Sequence, residues 1–302
     1  MIVPEPLRPG DRVRLIAPSG PFDRTLLLRG AGWLGERYRL EIDWRLFERS
    51  GYLAGSDERR REELDRALSE SGVRAVVAAR GGYGLTRIAH RVDWAALRRS
   101  PRWLVGFSDI TVAHVEAARV GVASLHAHNL AALGRGDAPI RARWLAALEE
   151  PTAPQRFEGL ESWNPGRARG PLSGGNLAML FTCAAAGRLF VPEGAILALE
   201  DVTESSYRLD RMLTALAVSG AFDRVAAVVV GELIDCPTGP WGVTARDAVR
   251  QCLAGLHVPV VAGFPFGHCR WNEPLHFGLE AELDAGAGVL ELNPRAARPR
   301  RR

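Results

Sequence analysis

The sequence predicts an α/β fold, with an N-terminal parallel-sheet, Rossmann-like domain and a C-terminal domain of mixed α/β structure. Two observations lead to this prediction. Short apolar runs without polar alternation, typical of strands covered on both faces, alternate with stretches of helical length. A segment rich in proline and glycine, residues 151–171, interrupts the alternation near the middle of the chain. We therefore expect domains over residues 1–150 and 172–294, joined by a linker over 151–171 and followed by an arginine-rich tail at 295–302.

The first half contains apolar strands that lead into turns and then helices. Residues 75–79 form an unbroken apolar run that continues into the glycine-rich sequence RGGYG at residues 80–84. Ser56 is a favourable N-cap, because its hydroxyl can accept a backbone N–H bond and the acidic residues after it complement the helix dipole. The predicted strands are 13–17, 75–79 and 103–105, and the predicted helices are 26–38, 57–71 and 110–120.

The second half continues the alternation. Thr244 and Asp247 have the spacing of a capping box, which predicts the start of a helix that reaches residue 252. Residues 279–292 predict two strands joined by a turn at 284–288. The other predicted elements are a helix from residue 177, strands at 195–199, 225–230 and 258–262, and a helix over 209–216.

The complete absence of lysine excludes several classes of enzyme. All 39 basic residues are arginine. A P-loop needs a lysine for its phosphates, and a pyridoxal Schiff base or a Ser–Lys dyad needs a lysine amine. The sequence therefore excludes a P-loop, a pyridoxal Schiff base and a Ser–Lys dyad.

The charge of the chain is concentrated at its end. The formal net charge is +4, but five arginines lie in the last eight residues, so the rest is close to neutral. We expect this tail to be disordered. The body has no basic stripe interleaved with aromatics, and no apolar run of membrane-spanning length, so we expect neither nucleic-acid nor membrane binding. The first ten residues lack the apolar core of a signal peptide, which favours a cytoplasmic location.

Metal and cofactor sites are not expected. The four cysteines have no CxxC spacing, which argues against a zinc ribbon or redox motif. His126 and His128 form a His-x-His pair, but no acidic residue stands out as a further ligand. We therefore expect neither a metal nor a cofactor.

Three residues with the chemistry of a hydrolase each follow a buried strand. Ser108 lies in the sequence Gly-Phe-Ser-Asp between a strand and a helix, where a tight turn can expose the hydroxyl near a helix N-terminus. Residue 110 is isoleucine, so the G-x-S-x-G motif is incomplete. Glu200 and His268 also follow predicted strands, and ligands of open α/β sheets bind at the carboxyl ends of strands. A serine cap, a surface acid and a solvated histidine are the alternative interpretations.

Six short segments occur in order along the chain: IAPSG at 16–20, RGGYG at 80–84, GFSD at 106–109, GGNL at 174–177, LED at 199–201 and GH at 267–268. Together they resemble the LD-carboxypeptidase family of serine peptidases. The resemblance implies Ser108 as nucleophile, Glu200 as the acid and His268 as the base. It also implies oxyanion donors at the N–H groups of Gly82 and Asp109, a small peptide substrate, a cytoplasmic location and a homodimer.

The sequence departs from the family at residues 126–129. Many members have His-Gly-Pro there, whereas this chain reads His-Ala-His-Asn. This difference concerns substrate contacts rather than the three catalytic candidates. A carboxypeptidase also needs a cation for the substrate carboxylate, and Arg80, Arg208 and Arg211 are candidates.

Three functions remain open at this stage. The first is removal of the terminal D-alanine from murein tetrapeptides. The second is a hydrolase of the microcin C immunity type, which cleaves an aminoacyl-nucleotide amide with the same three residues. An aromatic clamp for the base would favour it, and Trp163, Trp241 and Trp271 are candidates for such a clamp. The third is a peptide-binding protein without catalytic activity.

Overall fold

The computed structural model describes residues 1–293, so the predicted tail at 295–302 lies outside the described residues. The helices are α1 (Arg24–Gly35), α2 (Asp57–Ser69), α3 (Ala95–Arg99), α4 (Thr111–Arg119), α5 (Leu130–Leu133), α6 (Ala138–Glu149), α7 (Leu177–Ala185), α8 (Ser206–Val218) and α9 (Ala245–Ala254). The strands are β1 (Arg12–Ile16), β2 (Arg39–Glu41), β3 (Val73–Ala78), β4 (Trp103–Gly106), β5 (Ser124–His126), β6 (Gln155–Phe157), β7 (Glu161–Asn164), β8 (Arg167–Asn176), β9 (Ala195–Val202), β10 (Val225–Ile234), β11 (Val260–Ala262), β12 (Leu275–Phe277), β13 (Glu280–Asp284) and β14 (Val289–Leu292). Within residues 1–293, none of these helices is long and apolar enough to cross a membrane.

The first sheet is parallel except at one edge. Its strand order is β12-β5-β4-β3-β1-β2. The strands from β5 to β2 pair in parallel, whereas β12 pairs antiparallel with β5. The crossovers are largely helical, as parallel pairing requires. The predicted parallel sheet of the N-terminal half is thus confirmed, with an added edge strand that comes from the C-terminal half.

The second sheet is mixed. Its order is β6-β14-β13-β8-β9-β10-β11-β7. The four strands from β8 to β11 are parallel, and antiparallel strands extend the sheet on both sides. The predicted mixed α/β character of the C-terminal half is therefore confirmed.

Residues 151–171, for which the sequence predicts a linker, form part of the second sheet. They contain β6, β7 and the first residues of β8. The prolines and glycines that suggest a linker lie largely outside these strands, at Pro151, Pro154, Gly159, Pro165 and Gly166. The strands were not evident because β6 and β7 are short edge strands whose partners, β14 and β11, come about 100 residues later or more.

Helix boundaries follow the capping residues. The side chains of Ser56 and Thr244 accept the N–H groups of Arg59 and Asp247, as predicted for the N-caps of α2 and α9. The prediction for α1 was shifted toward the C-terminus. Asp23 caps α1, which ends at Gly35, so the predicted end at residue 38 is wrong. Tyr38 instead packs into the core beside β2.

The two sheets share one apolar core, in which α4 of the N-terminal half packs against α7 of the C-terminal half. A single cluster of buried residues includes Val76 and Leu104 from the first sheet and Leu197 and Val228 from the second. At the edge of this contact Thr111 Oγ1 accepts the N–H of Asn176, at 3.0 Å. The sheets are therefore held together by burial of apolar surface as well as by polar contacts.

A close approach of α1 and α5 places the segment before α5 beside the first sheet. A Cβ added to Gly30 or Gly134 would overlap the carbonyl oxygen of Leu130 or Leu26, respectively. Because both positions lack a side chain, the two backbones can touch. This contact fixes α5, whose preceding residues 128–129 line the cavity described below.

We expect Gly134→Ala to destabilise the fold by about 1–3 kcal/mol, because overpacking of a tight contact carries roughly that cost. The free energy of unfolding from urea denaturation measures the effect. Gly32→Ala is the matched control in α1, since a Cβ there would contact nothing within 4 Å. That control should stabilise the helix by up to about 1 kcal/mol. Equal effects of the two variants would contradict the close contact.

Candidate active site

The three predicted residues lie at the carboxyl ends of parallel strands in the two sheets. Ser108 follows β4, Glu200 is near the end of β9, and His268 lies in the loop after β11. Glu200 and His268 are in direct contact, and Ser108 and His268 line the same cavity. The structure thus brings together three residues that are far apart in the sequence.

Ser108 occupies a strained turn that is held by its surroundings. Its φ angle is +68°, an uncommon value for a residue other than glycine. Asn129 holds the preceding residue, because its Oδ1 accepts the N–H of Phe107 at 3.2 Å. Gly81 leaves room for the serine, since a Cβ at that position would lie 2.8 Å from Ser108 Cβ. The turn therefore depends on contacts with two other segments of the chain.

A buried histidine, His114, holds the backbone just before the serine turn. His114, on α4, lies 2.9 Å from the carbonyl oxygen of Gly106 through Nε2 and 2.9 Å from Ser124 Oγ through Nδ1. Burial lowers the pKa of His114 to about 4. Its ring is therefore neutral at pH 7, and it serves as a hydrogen-bonding link between α4, β4 and β5.

The contact between Glu200 and His268 has the geometry of an acid that orients a base. His268 Nδ1–H donates to Glu200 Oε2 over 2.7 Å, and the exposed fractions of these side chains are 19% for the histidine and 0% for the glutamate. A proton held on Nδ1 leaves Nε2 as an acceptor. The arrangement can therefore accept a proton from a hydroxyl group in the cavity.

No hydrogen bond joins Ser108 Oγ to His268 in the described part of the chain. The ring of Phe107, the residue before the serine, packs against the ring of His268 with centroids 4.9 Å apart. Hydrogen bonds of catalytic groups are often long in the unliganded state and shorten when substrate is bound. The two side chains are thus neighbours in one cavity without a formed hydrogen bond.

The two predicted oxyanion donors are connected through the side chain of Asp109. Among residues 1–293, neither the N–H of Gly82 nor that of Asp109 donates to another protein group. The buried carboxyl group of Asp109 accepts the N–H of Leu85 at 2.9 Å, which ties the glycine-rich loop to the serine turn. Burial raises the pKa of this carboxyl group. The loop and the turn are therefore positioned together.

Arg80 lies beside these donors. A Cβ added to Gly82 would lie 4.0 Å from Arg80 Cζ, and Arg80 Nη1 donates to the carbonyl oxygen of Pro21 at 2.5 Å. The cavity has a volume of about 1230 Å³ and is also lined by Arg135 and by the ion pair of Asp137 and Arg270. It can therefore accept an anionic group close to Ser108.

The other candidate arginines and tryptophans are not among the residues that line this cavity. Arg208 pairs with Glu204, and Arg211 packs over the ring of Tyr207. Trp163 is on β7 and packs beside the arginines of α9. Trp241 contacts Tyr207, and Trp271 donates to Glu273.

His126 and His128 have separate surroundings. Within residues 1–293 no cluster of three or more histidine, cysteine or acidic side chains has the geometry to hold a metal ion. His126 is buried among aromatic rings, and burial lowers its pKa well below the usual value. His128 lines the cavity and donates through Nε2 to the carbonyl oxygen of Arg270 at 3.1 Å.

Three positions of the site have no role that the sequence assigns. In the sequence, Asn129 stands out only as part of a difference from the family, yet its side chain accepts the N–H of the residue before Ser108. Gly267 has a φ angle of +106°, and a Cβ there would lie 2.5 Å from Glu200 Oε2. Asn272 accepts the N–H of Gly267. Glycine next to a candidate histidine was the signal available for Gly267, and Asn272 gave none.

Comparison with known families gives two matches that together span most of the chain. Residues 13–127 match the LD-carboxypeptidase N-terminal domain, and residues 169–283 match the LD-carboxypeptidase C-terminal domain. A murein tetrapeptide carboxypeptidase from Pseudomonas aeruginosa is 33% identical, and the alignment covers 90% of this chain and 93% of that protein.

Solved structures show the same fold. The muramoyltetrapeptide carboxypeptidase from Oxalobacter formigenes has a TM-score of 0.83 and 30% identity, with 93% of this chain and 97% of that chain covered. An active-site mutant of the microcin C7 self-immunity protein has a TM-score of 0.86 and 18% identity, with 98% and 99% covered. The mutant replaces a serine, an asparagine and a lysine of that protein.

We expect Gly267→Ala to break the contact between Glu200 and His268, because the added Cβ would collide with the glutamate side chain. A hydrogen bond from an imidazole Nδ1–H to a buried carboxylate gives a proton resonance far downfield. Proton NMR should therefore show this resonance in the unmodified protein and not in Gly267→Ala.

Gly263→Ala is the matched control for this experiment. Gly263 is in the same loop with a φ angle of +83°, but a Cβ there would meet nothing within 4 Å. Both variants carry the strain of a left-handed alanine, about 1–2 kcal/mol, whereas only Gly267→Ala adds the collision. Retention of the downfield resonance in Gly267→Ala would contradict the geometry described here.

Proposed function

The chain belongs to the LD-carboxypeptidase family of serine-type carboxypeptidases, and from this premise we propose that it removes the terminal D-alanine from murein tetrapeptides. In this proposal Ser108 is the nucleophile, His268 the general base and Glu200 the acid that orients it. The 2.7 Å contact between Glu200 and His268, whose ring lines the same cavity as Ser108, carries the proposal. Its biological setting is the recycling of murein peptides in the cytoplasm.

Acylation begins when the substrate brings its scissile carbonyl group next to Ser108. His268 Nε2 takes the hydroxyl proton as the serine oxygen attacks the carbonyl carbon, and Glu200 stabilises the imidazolium that forms. The N–H groups of Gly82 and Asp109 donate to the oxyanion of the tetrahedral intermediate. His268 then gives its proton to the amine of D-alanine, and the C–N bond breaks.

Deacylation uses the same groups with water in place of the serine. His268 takes a proton from water, the hydroxide attacks the acyl ester, and the same two N–H groups stabilise the second oxyanion. The proton returns to Ser108 as the ester bond breaks. The products are D-alanine and the tripeptide, and the enzyme returns to its starting state.

Recognition of the terminal carboxylate is assigned to Arg80. Three covalent bonds separate the scissile carbonyl carbon from the terminal carboxylate carbon, so the cation must lie beside the oxyanion donors. Arg80 meets this requirement, since its guanidinium group is adjacent to Gly82. The bond from Nη1 to Pro21 holds the group in place and leaves Nη2 and Nε for the substrate.

Two observations favour a murein peptide over an aminoacyl nucleotide. No tryptophan is among the residues that line the cavity, so within residues 1–293 the chain offers no tryptophan clamp for a base. The microcin C7 self-immunity protein has an active-site mutant in which a lysine is replaced, whereas this chain contains no lysine. A binding protein without activity would not need a buried acid behind a histidine.

We expect the unmodified protein to release D-alanine from L-Ala-γ-D-Glu-meso-diaminopimelate-D-Ala, with mass spectrometry as the readout. Ser108→Ala should lower the rate at least about a thousandfold, because loss of the nucleophile leaves only binding and oxyanion stabilisation. A fluorophosphonate should label the unmodified protein at Ser108 and leave Ser108→Ala unlabelled.

The outcomes of this experiment separate the functions. Equal release by both proteins would exclude Ser108 as the nucleophile. Labelling of Ser108 without release would reject the murein tetrapeptide and favour aminoacyl-nucleotide amides as the next substrates to test. Neither labelling nor release would favour a peptide-binding protein.

We expect Arg80→Gln to lower kcat/KM for the tetrapeptide about 10- to 100-fold, since hydrogen bonds to a charged group contribute about 1.5–3 kcal/mol. The variant should also lose its preference for the free acid over the same peptide with a C-terminal amide. Steady-state kinetics with both peptides measures this difference.

Arg135→Gln is the control for position in the cavity. Arg135 lines the same cavity, and its side chain forms no ion pair or hydrogen bond with the rest of the described chain. It should retain the preference for the free acid. If Arg135→Gln instead loses this preference and Arg80→Gln retains it, the carboxylate is bound at the other wall.

A further inference from the structure

The loop that carries His268 folds back on itself. It connects β11 of the second sheet to β12 of the first sheet. The N–H of Glu273 donates to the carbonyl oxygen of Pro265 at 2.8 Å, which closes the loop at its two ends. His268 therefore lies on a short closed segment, and its orientation depends on what holds that segment from within.

The side chain of Asn272 holds the inside of this loop. It is fully buried, and its Oδ1 accepts the N–H of Gly267 at 2.8 Å. The backbone N–H of Asn272 donates to Cys269 Sγ at 3.3 Å. Asn272 thus forms hydrogen bonds to the residues on both sides of His268.

The backbone angle alone does not account for an asparagine at position 272. The residue has a φ angle of +38°, a region that glycine adopts without a steric penalty. Its side chain is fully buried and lies beside His126. What asparagine adds over glycine is the acceptor for the N–H of Gly267, which would otherwise be buried without a partner.

The position of Gly267 is in turn critical for Glu200. A Cβ on Gly267 would lie 2.7 Å from Glu200 Cβ and Cγ, so the two residues are in close contact. Displacement of the Gly267 backbone would move the imidazole of His268 relative to the carboxylate. A hydrogen bond that fixes the Gly267 N–H therefore also fixes the 2.7 Å contact between His268 and Glu200.

We propose that Asn272 is a positioning residue for the general base: its side chain holds Gly267 and His268 against Glu200 and so directs His268 toward Ser108. The inference rests on the proposed function, in which His268 is the base. Hydrogen bonds that hold the segment around a functional histidine fix the orientation of its ring.

The surroundings of Asn272 agree with a role in orientation rather than in charge. Asn272 lies close to His126, and burial lowers the pKa of His126 far enough to keep its ring neutral. The rings of Phe266 and Phe277 pack around His126 with centroids 5.5 Å away. The groups next to Asn272 on this side are therefore a neutral imidazole and the aromatic rings packed around it.

Asn272→Gly tests the proposal, because glycine keeps the backbone angle and removes the acceptor. We expect the rate of fluorophosphonate labelling at Ser108, and kcat for the tetrapeptide, to fall about 10- to 100-fold, the loss typical of removing a group that orients a functional histidine. KM should change by less than about twofold, since Asn272 does not line the cavity. The midpoint of urea unfolding should fall, because the N–H of Gly267 loses its acceptor. Labelling and turnover are therefore measured without urea, where the variant is folded.

Two further variants serve as controls. Asn272→Asp keeps an oxygen acceptor for the N–H of Gly267. Its Ser108 should therefore be labelled by the fluorophosphonate faster than that of Asn272→Gly. Asn293→Gly also replaces a left-handed asparagine that forms a side-chain hydrogen bond, but it lies outside the cavity. In this variant the fluorophosphonate should label Ser108 at the same rate as in the unmodified protein.

The outcomes distinguish this proposal from the proposed function. An unmodified rate in Asn272→Gly, or no difference between Asn272→Gly and Asn272→Asp, would overturn the role of Asn272. Labelling of the unmodified protein without cleavage of the tetrapeptide would reject the murein substrate, while the labelling rates would still decide the role of Asn272. Absence of labelling in the unmodified protein would overturn both.

Discussion

The contact between Glu200 and His268 is the constraint on which the site depends. A carboxylate without solvent exposure is costly unless it is hydrogen-bonded, and here its described partner is the imidazole Nδ1–H. The contact is achieved only because Gly267 has no side chain and is held by Asn272. This one interaction thus accounts for the glycine at position 267, the asparagine at position 272 and the path of the loop that carries His268. It also sets the tautomer that leaves Nε2 of the histidine free to accept a proton.

The two sheets bring this contact to the serine through a shared core. β4 and β9 are interior strands of their sheets, so the residues at their carboxyl ends are supported on both sides. The packing of α4 against α7 and the bond from Asn176 to Thr111 fix the relative position of the two sheets close to Ser108. β12 adds a second connection, because it starts just after the His268 loop and pairs with β5 beside the serine strand. The cavity is therefore formed by two sheets that cannot separate without exposing apolar surface.

The sequence was informative wherever a local pattern decided the structure. Unbroken apolar runs predicted the buried strands, and side-chain caps predicted the starts of α2 and α9, because both depend on neighbouring residues. The prediction of a linker at residues 151–171 was wrong, because β6 and β7 form strands by pairing with partners far along the chain. Ser108, Glu200 and His268 could be singled out because each follows an apolar run, whereas their proximity could not be derived. Asn272 was out of reach, since its role comes from a backbone angle and a burial that no local pattern encodes.

The serine turn shows how strain is balanced in such a site. A φ angle of +68° at Ser108 is unfavourable by itself, so the turn persists only if its neighbours hold it. Asn129 holds Phe107 on one side, and Asp109 binds Leu85 through a buried carboxyl group on the other. Because Leu85 directly follows the glycine-rich loop, the bond that stabilises the turn also places the N–H of Gly82. The strain at Ser108, the proposed nucleophile, and the position of the proposed oxyanion donors are therefore linked through the side chain of Asp109.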